Sequence, residues 1–199
     1  KLILKAKIKT ADFFVTEPEE HQSELSIPIS FPLFIKPIRG GDSRGIDSNS
    51  VVYNFSEFKK KVLEIKHKFN LSSLVETYLP GKEYSVGILQ DSTNGTLRAM
   101  PIEIIIKKNR NGHCILDFNV KKDDEETVIA VTDTKIFKKL AKLGKEAFKA
   151  LGGKSLGRID IKMNHKGVPH FMEANLMPGL RKGYFYRSCL LNLDMTYED

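Results

Sequence analysis

Two short runs near the end of the chain carry the residues best suited to chemistry: GRIDIKM at 157–163 and HFMEANLMPG at 170–179. Each reads as a strand, and the turn HKG between them predicts that they pair. Side chains alternate faces along a strand, so Arg158 and Asp160 share a face, as do Glu173 and Asn175. On pairing, one surface gathers Asp160, Glu173 and Asn175, oxygen donors of the kind magnesium takes together with water and phosphate. Arg158 on that surface suits a bound anion, or negative charge that develops during a reaction. A charged, solvated face of an antiparallel sheet explains the same pattern, and these runs alone do not separate the two.

A second candidate lies far upstream. FIKPIRGGDSRG, residues 34–45, places Lys36 after an apolar strand and then Gly40, Gly41 and Gly45 around Asp42 and Ser43. Lysine and glycine suit a loop that grips phosphate through a point charge and backbone N–H groups. Asp42 does not, because like charges ~4 Å apart repel by about 1 kcal/mol even in bulk water. Arg39 and Arg44 are near enough in sequence to offset it.

The elements that must hold these residues read as α+β with antiparallel strands dominating. The first dozen residues suggest a helix running into the strand FFV at 13–15, and PLFIKP a short buried strand that Pro37 ends. SVVYNF reads as a strand, followed by a helix capped by Ser56 with Phe58, Val62, Ile65 and Phe69 on one face. LSSLVETYL, KEYSVGILQ, RAMPIEIIIKK and HCILDFNV read as strands, the last two joined as a hairpin by KNRNG, and KKDDEETV as a mobile loop. In DTKIFKKLAKLGKEAFKALGG, Ile136, Leu140, Leu143 and Ala147 mark a helix that Gly152 and Gly153 stop.

Bulk properties narrow the classes. With 41% hydrophobic and 29% charged residues in 199, the chain can bury a real core. No apolar run approaches the ~20 residues that span a bilayer, so no membrane role is expected. Cys114 and Cys189 are far apart, which makes a reducing cytoplasm the default compartment. His113 beside Cys114 lacks the further ligands that structural zinc needs. The net charge of +7 comes from lysines spread over helix faces, as in KKLAKLGKEAFK, rather than from a basic stripe. A nucleic-acid partner is therefore not expected, while a ligand with several phosphates would suit the charge.

Together, GRIDIKM with FMEANLMPG, FPLFIKPIRGGDSRGI and LVETYLPGKEYSVGIL resemble, in order, three motifs of the ATP-grasp superfamily, most closely its D-alanine–D-alanine ligase branch. The resemblance spans residues 31–180 and implies two α+β lobes with antiparallel sheets holding ATP between them. Residues 1–77 would be the central lobe and 78–199 a truncated C-terminal lobe. It implies that Lys36 sits on the nucleotide phosphates under a lid containing Gly41 and Ser43. Glu76 and the backbone of Thr77 to Leu79 would meet the adenine edge, Met172 would line the adenine pocket or the core, and Glu83 would accept from the ribose hydroxyls. Lys121 aligns with a further phosphate-facing lysine. Asp160, Glu173 and Asn175 would bind two magnesium ions (manganese as a substitute), with Glu173 bridging, while Arg158 and the Gly179 backbone stabilise a tetrahedral intermediate. The activity implied is ATP-dependent amide formation through an acyl phosphate, on a small amino acid or peptide, and the family leaves room for a homodimer of the full-length protein.

Three departures qualify the resemblance. Asp42 replaces a small hydroxyl residue, and LRKGYFYRSCLL replaces a serine-containing stretch that holds the second amino acid. The ligases' N-terminal domain has no counterpart, and the chain reads as a fragment that begins inside one helix and stops at the cap of another, Thr196. A substrate pair other than two D-alanines is the expectation. A nucleotide-binding module without catalysis is the alternative.

Overall fold

The computed structural model describes residues 1–41, 43–108, 112–115 and 126–198. The chain falls into two compact units. One comprises Ala11–Pro80 with the described part of 106–126; the other comprises Lys1–Thr10, Gly81–Ile105 and Thr127–Asp199. The fold is α+β.

The first unit is built on a four-stranded antiparallel sheet in the order β1-β4-β2-β3, with β1 Phe13–Thr16, β2 Leu33–Pro37, β3 Val51–Val52 and β4 Ser73–Thr77. Helix α2, Phe55–Phe69, covers one face, where Phe58, Val62 and Ile65 meet Leu33, Ile35, Val52 and Val75. Its cap is Asn54, not Ser56: the Asn54 side chain accepts from the Glu57 N–H, so the helix starts one residue before Ser56. Phe34 and Lys36 alternate with the buried Leu33 and Ile35, and so take the opposite face of the sheet.

The second unit carries a five-stranded antiparallel sheet, β7-β6-β5-β8-β9. Its strands are β5 Glu83–Gln90, β6 Leu97–Ile105, β7 Thr127–Ala130, β8 Leu156–Met163 and β9 Pro169–Asn175. One face packs on α3, Thr134–Ala150, through Tyr84, Val86, Ile88, Ile159 and Ile161 against Leu140, Leu143, Ala147 and Phe148. Gly152 ends α3 with a left-handed φ of 73°, as its place after the apolar stripe predicts. Gly153 has another reason to be glycine: a Cβ there would lie 2.3 Å from the Phe148 ring.

Several expectations change. The opening helix α1 is only Leu2–Lys5, and the SVVYNF strand shrinks to β3. Strand β7 takes in Thr127 and Val128, the last two residues of the segment read as a loop. Residues 184–193, not read as an element, form helix α4, Tyr184–Leu193, whose Phe185 and Cys189 pack on Met100. Thr196 begins no helix among the described residues. The hairpin joined at 109–111 and most of HCILDFNV and KKDDEETV lie outside the described residues, as do Asp42 and Lys121.

Candidate active site

The β8–β9 hairpin turns at 164–168, where the Asn164 side chain accepts from the N–H groups of Lys166 and Val168. That turn sets a register in which Asp160 lies opposite Glu173, and Arg158 opposite Asn175. Opposed residues point to the same face, so the four expected side chains share one surface. A bulge makes this work. Ile161 pairs with Phe171, leaving Met172 as the extra residue on β9. Phe171 therefore joins the apolar face while Glu173, two residues on, takes the polar one.

On that polar face, Arg158 grips Asp160 with both arms: Nε to Oδ1 at 3.0 Å and a terminal nitrogen to Oδ2 at 2.8 Å. Ser85 donates to the same Oδ1 at 2.7 Å, from the opposed position on β5. Glu173 Oε1 stands 3.9 Å from the guanidinium, and its side chain is largely exposed. Burial works against the charge of Arg158, but the field and hydrogen bonds of Asp160, with Glu173 beyond, outweigh it and raise its pKa. The guanidinium is thus a fixed cation, stacked 5.5 Å from the Tyr184 ring centroid. The Asn175 amide oxygen accepts from the Met177 N–H, which ties β9 to the segment carrying Gly179. Among the described residues no three His, Cys, Asp or Glu side chains cluster as metal ligands. The donor set is two carboxylates and an amide.

One strand step from Asp160, Lys162 Nζ meets Glu83 Oε2 at 2.7 Å in an ion pair buried on both sides. Ser85 and Lys162 were missed by reading motifs. The signal was present, since each is two residues from an expected site residue on the same strand, and hence on the same face.

In the first unit, Lys36 Nζ lies 2.7 Å from Glu76 Oε2, both half-buried, on the face away from α2. The glycine loop after Lys36 folds as successive turns, with Arg44 N–H to the Gly41 carbonyl and Ile46 N–H to that of Ser43. Gly45 adopts φ 80° and a Cβ there would strike Pro37 at 2.5 Å, so glycine is required. Ser43 also takes a positive φ, 58°. Asp47, beyond the loop, is anchored by the buried Lys61 at 2.8 Å. At the end of β4, the N–H groups of Thr77 and Tyr78 are already given to the carbonyls of Asp12 and Pro32. Leu79 is buried, Met172 half-buried and Gly179 exposed.

A family model described as the D-ala D-ala ligase C-terminus matches residues 4–199. The chain belongs to that family. Among its relatives, the D-alanine–D-alanine ligase of Aquifex aeolicus is 30% identical over 185 residues, covering 90% of this chain and 57% of that protein. The fold is that of ATP-grasp ligases. The D-Ala:D-Ser ligase VanG from Enterococcus faecalis superposes with a TM-score of 0.75 at 21% identity, over 98% of this chain and 56% of that one. The D-alanine–D-alanine ligase from Bacillus anthracis, solved with ATP, gives 0.69 at 21% identity over 94% and 56%. The chain spans about half the length of the curated relatives it matches. No helix among the described residues is long and apolar enough to cross a membrane.

Proposed function

We propose that the chain is the nucleotide- and metal-binding part of an ATP-dependent ligase that joins the carboxylate of one small amino acid or peptide to the amine of another. The observation that carries this reading is the opposed pair Asp160–Glu173, flanked by Arg158 and Asn175 on one sheet face. The donors fit magnesium: all are oxygens, and a carboxylate that accepts three hydrogen bonds, as Asp160 does, keeps a lone-pair position for a cation. Bound there by Asp160, Glu173 and Asn175, magnesium would neutralise charge on the transferring phosphoryl group.

The chain's own residues position and preorganise. Lys36 would release Glu76 to hold phosphate oxygens, and Glu76 would then accept from an adenine amino group. The Thr77 and Tyr78 N–H groups are given to Asp12 and Pro32, and the Leu79 N–H would meet the base. The substrate carboxylate attacks the γ-phosphorus and ADP leaves; the amine then attacks the acyl carbon and phosphate leaves. Arg158, locked by Asp160 and Tyr184, offers fixed positive charge to the oxyanion of that second step. The 180–187 segment bears Arg181, Lys182 and Arg187, cations suited to a carboxylate on the amine substrate.

Phosphate release by the full-length protein, measured with ATP, magnesium and pairs of D- and L-amino acids, tests the reading. Release that requires two amino acids supports it. ATP binding without release on any pair would sink it.

A further inference from the structure

Lys162 belongs to none of the roles assigned above, yet it sits in the middle of the polar face. Its neighbour along that face on β8 is Asp160, and opposite it on β5 is Glu83. The ion pair between Lys162 Nζ and Glu83 Oε2 is 2.7 Å long, with side chains 8% and 9% exposed. A pair this buried is a poor source of stability, because desolvating two charges offsets most of their attraction. An apolar pair would hold β5 and β8 together as well. What the lysine does supply is a fixed orientation for the carboxylate. In the pair, Glu83 has one oxygen committed to the ammonium.

We infer that Lys162 is a positioning residue for nucleotide recognition: it orients Glu83, with Oε2 committed and Oε1 presented to the sugar hydroxyls of the bound nucleotide. The inference rests on the proposed function, in which Glu83 meets the ribose. Lys162 acts through Glu83 and does not itself touch the ligand, so removing it should cost only what the hydroxyls contribute.

The test is calorimetric, on the full-length protein with magnesium, comparing ATP with 2′,3′-dideoxy-ATP. Wild type should prefer ATP by about tenfold or more, the worth of hydrogen bonds to a charged acceptor. Lys162→Met should lose most of that preference by weakening ATP alone, leaving dideoxy-ATP within about twofold. Lys162→Arg should keep the preference. The double variant Lys162→Met/Glu83→Gln carries no unpaired buried charge and guards against misfolding; it should match the single variant. Equal losses for both nucleotides in Lys162→Met and the double variant, or a preference that survives in both, would overturn the inference. So would a wild type that binds both nucleotides alike. A wild type that binds neither overturns the proposed function as well, and is recognised by its failure before any residue is changed.

Discussion

The two faces of the five-stranded sheet are made by the same strands and do opposite work. Along β8, Gly157, Ile159, Ile161 and Met163 face α3 and its apolar core, while Arg158, Asp160 and Lys162 face the site. On β5, Tyr84, Val86 and Ile88 face the core while Glu83 and Ser85 face the site. Burial does not tell them apart, since Asp160 and Lys162 are nearly as hidden as the core isoleucines. Partners do: Asp160 accepts from the Ser85 hydroxyl, and Lys162 meets Glu83, across the ladder. Stability should therefore concentrate on one face and chemistry on the other.

Glu173→Ala should produce the largest separation. Its side chain is largely exposed and stands 3.9 Å from the Arg158 guanidinium, so stability should change by no more than about 0.5 kcal/mol. Magnesium-dependent turnover should fall by about a thousandfold, the scale of losing a main source of transition-state charge stabilisation. Urea melts and phosphate release on the same preparation measure both. Undiminished turnover would remove Glu173 from the metal site.

Phe148→Ala is the converse. The ring is 1% exposed and lies over Gly153 and Gly157. Truncation should cost about 3–5 kcal/mol in urea unfolding. The folded fraction should bind ATP as before. A loss of affinity without a loss of stability would show that the two faces are coupled through β8.

Gly157→Ala sharpens the comparison, because this glycine opens the very motif that identifies the site. Its Cβ would fall 2.6 Å from the Phe148 ring, on the core face. Overpacking of this kind costs about 1–3 kcal/mol. The expected variant is less stable with unchanged turnover per folded molecule. A turnover defect at full stability would place Gly157 with the chemistry instead.

How much of this was legible in the sequence follows from the same alternation. The pattern in GRIDIKM and MEAN assigns Arg158, Asp160, Glu173 and Asn175 to one face, because period-two side-chain direction is a local property. The bulge at Met172 was not legible; it depends on which register the Asn164 turn imposes, and it separates Phe171 from Glu173. Helix α4 escaped notice because its first turn, YFY after Gly183, is made of weaker helix formers and its apolar stripe answers to Met100 on a distant strand. The Asn54 cap was missed because Ser56 stands just beyond it, and only backbone geometry decides between two good capping residues. The ion pairs Lys36–Glu76 and Lys162–Glu83 join residues 40 or more positions apart, which no single-segment reading reveals.

The smallest expected effect concerns the helix that makes the core face possible. Asp133 caps α3 by accepting from the N–H groups of Ile136 and Lys135, and these bonds hold its carboxyl below the ordinary 3.8. A carboxyl lowered on folding contributes stability that is complete above its unfolded pKa and lost as pH falls through its folded one. Asp133→Asn keeps an acceptor at the cap but removes the charge, whereas Asp133→Ala removes both. At pH 7 the melting temperatures should therefore run wild type, Asn, Ala, from highest to lowest. At pH 3 the gap between wild type and Asp133→Asn should narrow, while the gap between Asn and Ala persists. Because α3 packs on the core face of the sheet, ATP affinity at pH 7 should be the same in all three. A constant gap between wild type and Asn at both pH values would mean that the cap works through hydrogen-bond geometry alone. An affinity that tracked the cap would mean that α3 transmits its ordering through β8 to Asp160, and that the two faces of the sheet are not separable.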